Sequence, residues 1–184
     1  MKKLPLLLIL CGLTACVQGN QKYLTDPQAA QESVKCEVDK FNNVTTCTTG
    51  RVTTYGTGKN TYSLLDDDAS VAENGADTES FFRKIDDSIQ IYTIVKGFGG
   101  APDVYDVLDD KGKGFKFRYI SIDLHCTASG CIYSEHTGID IDKAYIEKHA
   151  KTGIKLKVYG RKHRAFITLP PAYVQGFNNY LKKK

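Results

Sequence analysis

Four cysteines, Cys36, Cys47, Cys126 and Cys131, restrict this chain more than any other feature of it. The chain has six in all; Cys11 and Cys16 belong to the N-terminal segment taken up below. The four form two near pairs, C-x10-C and C-x4-C. Each pair straddles a turn signal, Asn42-Asn43 in the first and Thr127-Ala128-Ser129-Gly130 in the second. Runs rich in Val and Thr lie around the first turn, and alternating strand patterns flank the second. Directly opposite residues on antiparallel strands hold their β-carbons close enough for a disulfide. Four cysteines allow three connectivities, and local geometry favours Cys36–Cys47 with Cys126–Cys131. On a chain-entropy argument, loops this short stabilise a fold by roughly 2–3 kcal/mol each. A zinc site made from all four thiolates is disfavoured, because neither spacing is the paired C-x2-C clip of a structural site.

Strand signals continue from residue 34 onward. Segments 34–40 and 44–55 surround the Asn42-Asn43 turn, and 62–65 is a short candidate strand. Segment 66–76 is acidic and reads as a loop. Segments 81–85 and 89–95 flank Asp86-Asp87-Ser88, 104–109 and 114–126 flank Asp110-Lys111-Gly112-Lys113, and 131–137 pairs back on the last of these. The final third changes character. Segment 141–152 reads as a helix, with Asp140 as N-cap and Gly153 as its stop. A two-residue turn at Arg161-Lys162 pairs Val158 with Ala165, Leu156 with Ile167 and Ile154 with Leu169, so one face of that hairpin is wholly apolar. Pro170-Pro171 then opens a helix to about residue 181. Strands followed by a segregated helix–hairpin–helix predict an α+β fold: a mostly antiparallel meander, a C-terminal helix–hairpin–helix module, and two disulfide staples.

The N-terminus bears on compartment. Lys2 and Lys3 precede an apolar stretch from Leu4 to Leu13, too short to span a bilayer, and small residues follow. The stretch ends Leu13-Thr14-Ala15-Cys16, which resembles the lipobox of bacterial lipoproteins. That resemblance covers the first sixteen residues only. It implies cleavage before Cys16, a thioether from its thiol to diacylglycerol, and acylation of the new amine with chains such as palmitate. Several acyl chains give anchoring that one cannot. Val17 stands where an inner-membrane retention signal would place Asp, which by the same resemblance implies the outer membrane. The expected organisation is a signal peptide over 1–15, a lipidated tether over 16–33 and a single domain over 34–184. A composition of 41% hydrophobic and 25% charged residues suits such a globular domain and excludes a disordered chain.

Charge is laid out unevenly. Residues 143–184 hold eleven Lys or Arg and one acid, a net of +10, whereas residues 16–142 hold twelve basic and twenty acidic residues, a net of −8. A near-neutral total therefore conceals a basic module. The polar face of its hairpin carries Lys155, Lys157, Tyr159, Arg164 and Phe166, and its turn adds Arg161, Lys162 and His163. Cations interleaved with aromatics suit an anionic partner. In an envelope that means lipid phosphates, lipopolysaccharide, acidic wall polymer or another envelope protein, and nucleic acid is excluded by compartment. The competing reading is that these charges dock on the acidic sheet or are merely solvated. A second set of candidates lies on the Cys126–Cys131 hairpin. Pairing those cysteines puts Ser121, Asp123, His125, Ser134 and His136 on one face, a Ser/His/Asp or metal-binding composition. A nucleophile sits on a strained turn more often than mid-strand, and alternating polar residues are what a solvated sheet face shows.

The sequence expectation is therefore a lipid-anchored, periplasm-facing envelope protein, non-catalytic, with a binding, scaffold or assembly role exerted through its basic module. It carries no cofactor or metal motif. Two alternatives stay open: a periplasmic hydrolase or metalloenzyme using Asp123, His125 and His136, and a carrier of lipids or small molecules.

Overall fold

The structure, a computed structural model, describes residues 21–56 and 75–183. The expected signal segment, Cys16, the candidate strand 62–65 and residues 66–74 of the expected acidic loop lie outside the described residues. Ten strands form one sheet: β1 (Lys35–Asp39), β2 (Val44–Thr48), β3 (Val52–Thr54), β4 (Gly75–Ile85), β5 (Ser88–Phe98), β6 (Val104–Asp109), β7 (Phe117–Thr127), β8 (Gly130–Asp140), β9 (Ile154–Gly160) and β10 (Arg164–Leu169). Three α-helices accompany them: α1 (Pro27–Glu32), α2 (Lys143–His149) and α3 (Pro171–Lys182).

The α+β expectation is overturned. Strands take 53% of the described residues and helices 19%, and the sheet curls into a half-barrel. Its order is β6-β9-β10-β4-β5-β8-β7, with β2 and β3 also pairing β4, and β1 pairing β2. A self-contained C-terminal helix–hairpin–helix module does not exist, because β9 and β10 are interior strands. β9 pairs β6 antiparallel on one side, and β10 pairs β4 parallel on the other. The physical reason is plain. An isolated hairpin has two edges of unpaired amides and carbonyls, and burying its apolar face makes those edges costly unless other strands satisfy them. Periodicity reports which face is buried. It does not report who pairs at the edges.

Within the hairpin the register is as the spacing predicts. Val158 faces Ala165, Leu156 faces Ile167 and Ile154 faces Leu169, and all six are buried. They line the concave side of the sheet together with Phe82, Ile91, Val95, Val107 and Ile139. Helix α3 buries Tyr173, Val174, Phe177 and Leu181, spaced as one helical stripe. Phe82 stacks on Phe177 at 4.3 Å between ring centroids and on Tyr173 at 5.5 Å. Side chains of this size contribute about 1.5–3 kcal/mol each on full burial. Burial pushes the Tyr173 phenol up from its ordinary range, and its hydroxyl bonds the Gly50 carbonyl and Thr49 Oγ1.

Other boundaries shift for identifiable reasons. The segment 44–55 is two strands, because the chain leaves β4 at Thr49 and rejoins it at Val52. Asp140 does not cap α2. Its amide donates to the Lys116 carbonyl at 2.8 Å and keeps it in β8. Asp142 is the cap, its carboxylate accepting the Tyr145 amide at 2.5 Å, and the helix ends at His149, short of 152. Gly153 follows with φ +79°, and a β-carbon there would lie 2.6 Å from the Leu169 carbonyl oxygen. Residues 22–32, read from the sequence as part of a tether, are folded onto the body. Ala30 is buried, and a β-carbon at Gly176 of α3 would lie 2.4 Å from that of Ala30. That approach requires a glycine.

Candidate functional surface

The convex face of β9 and β10 carries the residues singled out for their charge. Pleating sends Lys155, Lys157 and Tyr159 outward from β9, and Arg164, Phe166 and Thr168 outward from β10. Lys157 Nζ sits 5.0 Å from the Tyr159 ring centroid and 5.5 Å from that of Phe166, and the Arg164 guanidinium carbon is 5.9 Å from the Tyr159 ring. Tyr105 of β6 extends the layer, 6.4 Å from Tyr159. Such cation–aromatic contacts are worth about 0.5–1 kcal/mol when exposed, and they hold the cations without neutralising them. Among the described residues, Arg161 with Asp103 at 3.0 Å is the only ion pair joining 143–184 to the rest of the chain. Lys155, Lys157, Lys162 and Arg164 have no carboxylate partner among the described residues. The acids of neighbouring β4 are engaged elsewhere. Asp77 accepts the Gly56 amide at 2.8 Å, and Glu79 pairs with Lys96 at 2.5 Å and Arg51 at 3.1 Å. The Lys96 hydrogen bond holds the Glu79 carboxyl below its ordinary range against the opposing effect of burial.

His163 is a correction. Its position in the basic turn predicts a surface cation, but the ring turns inward beneath the Gly97–Gly100 segment, and its Nε2 is buried without a hydrogen-bond partner. Burial pulls its pKa down, outweighing the Gly100 carbonyl that favours protonation, and Lys162 adds to the lowering. His163 is therefore neutral at pH 7 and stands outside the cationic surface.

The turn itself is braced by a feature the sequence reading passed over. Glu135 of β8 is buried, and its carboxylate accepts the Asp103 amide at 2.7 Å and the Val104 amide at 3.2 Å. Glu135 thus clasps the start of β6, five positions from β8 in sheet order, across the concave side. The Asp103 carbonyl in turn accepts the Arg161 amide at 3.2 Å. The signal was present in the alternation. With Ile122 opposite Glu135, an acid stood on the core face of a strand, where it needs partners.

Asp123 and His136 do meet: Asp123 Oδ2 lies 3.0 Å from His136 Nε2, and Tyr92 Oη lies 2.7 Å from His136 Nδ1. Arg83 caps the Tyr92 ring at 4.5 Å. His125 does not join them. It is exposed, opposite Ile132. The described residues contain no group of three or more His, Cys, Asp or Glu spaced to hold a metal ion. Asp123 is mostly exposed on the flank of the sheet, so this trio is a hydrogen-bonded sheet surface rather than a cleft. An open cleft of about 450 Å³ lies elsewhere, lined among others by Lys113, Lys116, Arg118, Asp87, Asp140 and Asp142. Four of its charges are paired: Arg118 with Asp140 at 3.2 Å and Lys113 with Asp142 at 3.9 Å. Both disulfides form as local geometry favours, Cys36 with Cys47 and Cys126 with Cys131, each between directly opposed strand residues.

No family model, curated protein or solved structure matches the chain.

Proposed function

We propose that this chain is a lipid-anchored protein of the bacterial envelope, held at Cys16 in the outer membrane and facing the periplasm, and that it acts without catalysis by contacting an anionic envelope component. The contact surface is the convex face of β9 and β10 with the turn between them: Lys155, Lys157, Tyr159, Arg161, Lys162, Arg164 and Phe166. One observation carries the reading. Lys157 and Arg164 of this face are backed by aromatic rings, and Lys155, Lys157, Lys162 and Arg164 are left without carboxylate partners among the described residues, although the rest of the chain is acidic. A domain that needed those charges only to offset its own acids would pair them. The Leu13-Thr14-Ala15-Cys16 segment supports the anchor and the compartment.

The test is co-sedimentation of the full chain with vesicles of neutral lipid alone and of neutral lipid mixed with anionic phospholipid. The variant Arg161→Ser, Lys162→Ser, Arg164→Ser should fold, since the turn lies outside the core, and should lose the preference for anionic vesicles. Salt should weaken that preference steeply, because the screening length falls from about 10 Å at 0.1 M to about 3 Å at 1 M. Equal recovery of wild type and variant on both vesicles would overturn the assignment. Mass analysis of the mature N-terminal peptide tests the anchor separately: an unmodified Cys16 refutes it.

A further inference from the structure

The sheet ends at β7, whose outer edge has no strand beside it among the described residues. Its backbone direction follows from two observations. The disulfide-linked pair Cys126 and Cys131 has a Cα–Cα distance of 4.0 Å, the close spacing of a pair that does not exchange backbone hydrogen bonds. Counting back in register, the amides and carbonyls of Leu124 and Ile122 also point away from β8. At the other end, the Asp140 amide donates to the Lys116 carbonyl, so Phe117 and Tyr119 point outward too. The two series are out of step by one residue, and a bulge between Tyr119 and Ser121 takes up the difference. The outward residues Tyr119, Ile122 and Leu124 all place large side chains on one face of the sheet. They are 59%, 39% and 57% exposed.

This edge is complementary to itself. Place a second copy antiparallel beside it, with a two-fold axis passing between Ile120 and Ser121. Phe117 then faces Leu124 and Tyr119 faces Ile122, each pair with outward backbone groups on both sides and side chains on the same face. On the opposite face, Arg118 stands across from Asp123, twice over by symmetry. The bulge is what permits this. In an unbroken strand the residues three and seven apart would alternate out of phase, whereas here the bulge of one copy lies beside the bulge of the other, with Ile120 opposite Ser121. A register centred on Asp123 would set two carboxylates against each other. Arg118 and Asp123 hold intramolecular partners, Asp140 and His136, but their side chains are 64% and 73% exposed and have room for a second. We infer that β7 is the pairing edge of a symmetric dimer of this chain, its register fixed by the bulge and by the Arg118–Asp123 pairs.

Charge reversal tests the inference, using the full chain in detergent and sedimentation velocity over a concentration series. Wild type should show a monomer–dimer equilibrium. Asp123→Arg and Arg118→Asp, each placing like charges opposite each other, should weaken dimerisation about tenfold or more. The double variant Arg118→Asp, Asp123→Arg should recover most of the wild-type affinity, although both intramolecular pairs are then broken. That recovery is something a purely structural role for either residue would not produce. Leu124→Lys, at an exposed position that leaves the core untouched, should give a folded monomer. A wild type that stays monomeric throughout the series, single reversals that leave the dimer unchanged, or a double variant no better than the singles would each overturn the inference.

Discussion

Glu135 offers the sharpest test of how the half-barrel is held. Replacing it with Ala removes the acceptor of two backbone amides, those of Asp103 and Val104. Leaving a buried donor unsatisfied costs about 1–3 kcal/mol, so two give about 2–6 kcal/mol if both stay dry. Water reaches part of this site once the side chain is gone, since Asp103 is exposed and Val104 half-buried. Removing a buried carboxylate also recovers some of its desolvation cost. The expected loss is therefore about 2–4 kcal/mol. Backbone strain adds a local effect, because Asp103 holds φ +53°, a conformation that favours glycine. Freed from the clasp, that residue should relax and carry the Arg161 turn with it. Glu135→Gln keeps the volume and one acceptor but turns its amide donors toward a donor, so it should fall between Ala and wild type. The assay is urea unfolding together with hydrogen exchange at the Asp103, Val104 and Arg161 amides. A Glu135→Ala protein within about 0.5 kcal/mol of wild type, with those three amides exchanging as before, would refute the clasp.

Three further outcomes are expected. His163 has a lowered folded pKa, so the unfolded chain takes up its proton first as pH falls; stability should decline from about pH 6.5 downward until the folded-state ring also titrates, and His163→Gln should remove that step from a pH series of urea midpoints. Replacing Cys36 and Cys47 with Ser should cost about 3 kcal/mol and replacing Cys126 and Cys131 about 2 kcal/mol, and a reversed ranking in denaturant titrations would mean that loop length does not govern the difference. Phe177→Ala should cost about 3–5 kcal/mol, read by urea unfolding, because the ring is fully buried and stacked on Phe82; a loss under about 1 kcal/mol would show that α3 does not fill the concavity as described.

Local pattern carried a good deal of this fold into the sequence. The turn signals between cysteines gave both disulfides, and the alternation in 154–169 gave a register correct to the residue. What stayed hidden depends on partners distant along the chain. The parallel pairing of β10 with the start of β4 joins residues nearly ninety positions apart, and no periodicity encodes it. The same holds for Asp140, where a strand partner at Lys116 outcompetes a helix-capping role that its composition suits equally well. On the candidate surface, Lys155, Lys157, Arg164 and Phe166 share one face as alternation requires, but His163 sits in a turn, where alternation says nothing about direction. Its inward rotation follows from the glycine at 97, whose lack of a side chain opens the space the ring fills.

The docking of α1 on α3 shortens a leash. Counted from Cys16, about five residues lead to residue 21, where the described fold begins, whereas the tether expected from the sequence ran to residue 33. At about 3.5 Å per extended residue, five residues reach less than about 20 Å. With Cys16 as the anchored residue, the domain could not sample the depth of the space beyond its membrane. It would skim the bilayer, diffusing in two dimensions with a limited choice of orientations. Confinement of that kind raises the effective concentration of any partner on the same surface, so an edge or a cationic face too weak to act in free solution becomes sufficient there.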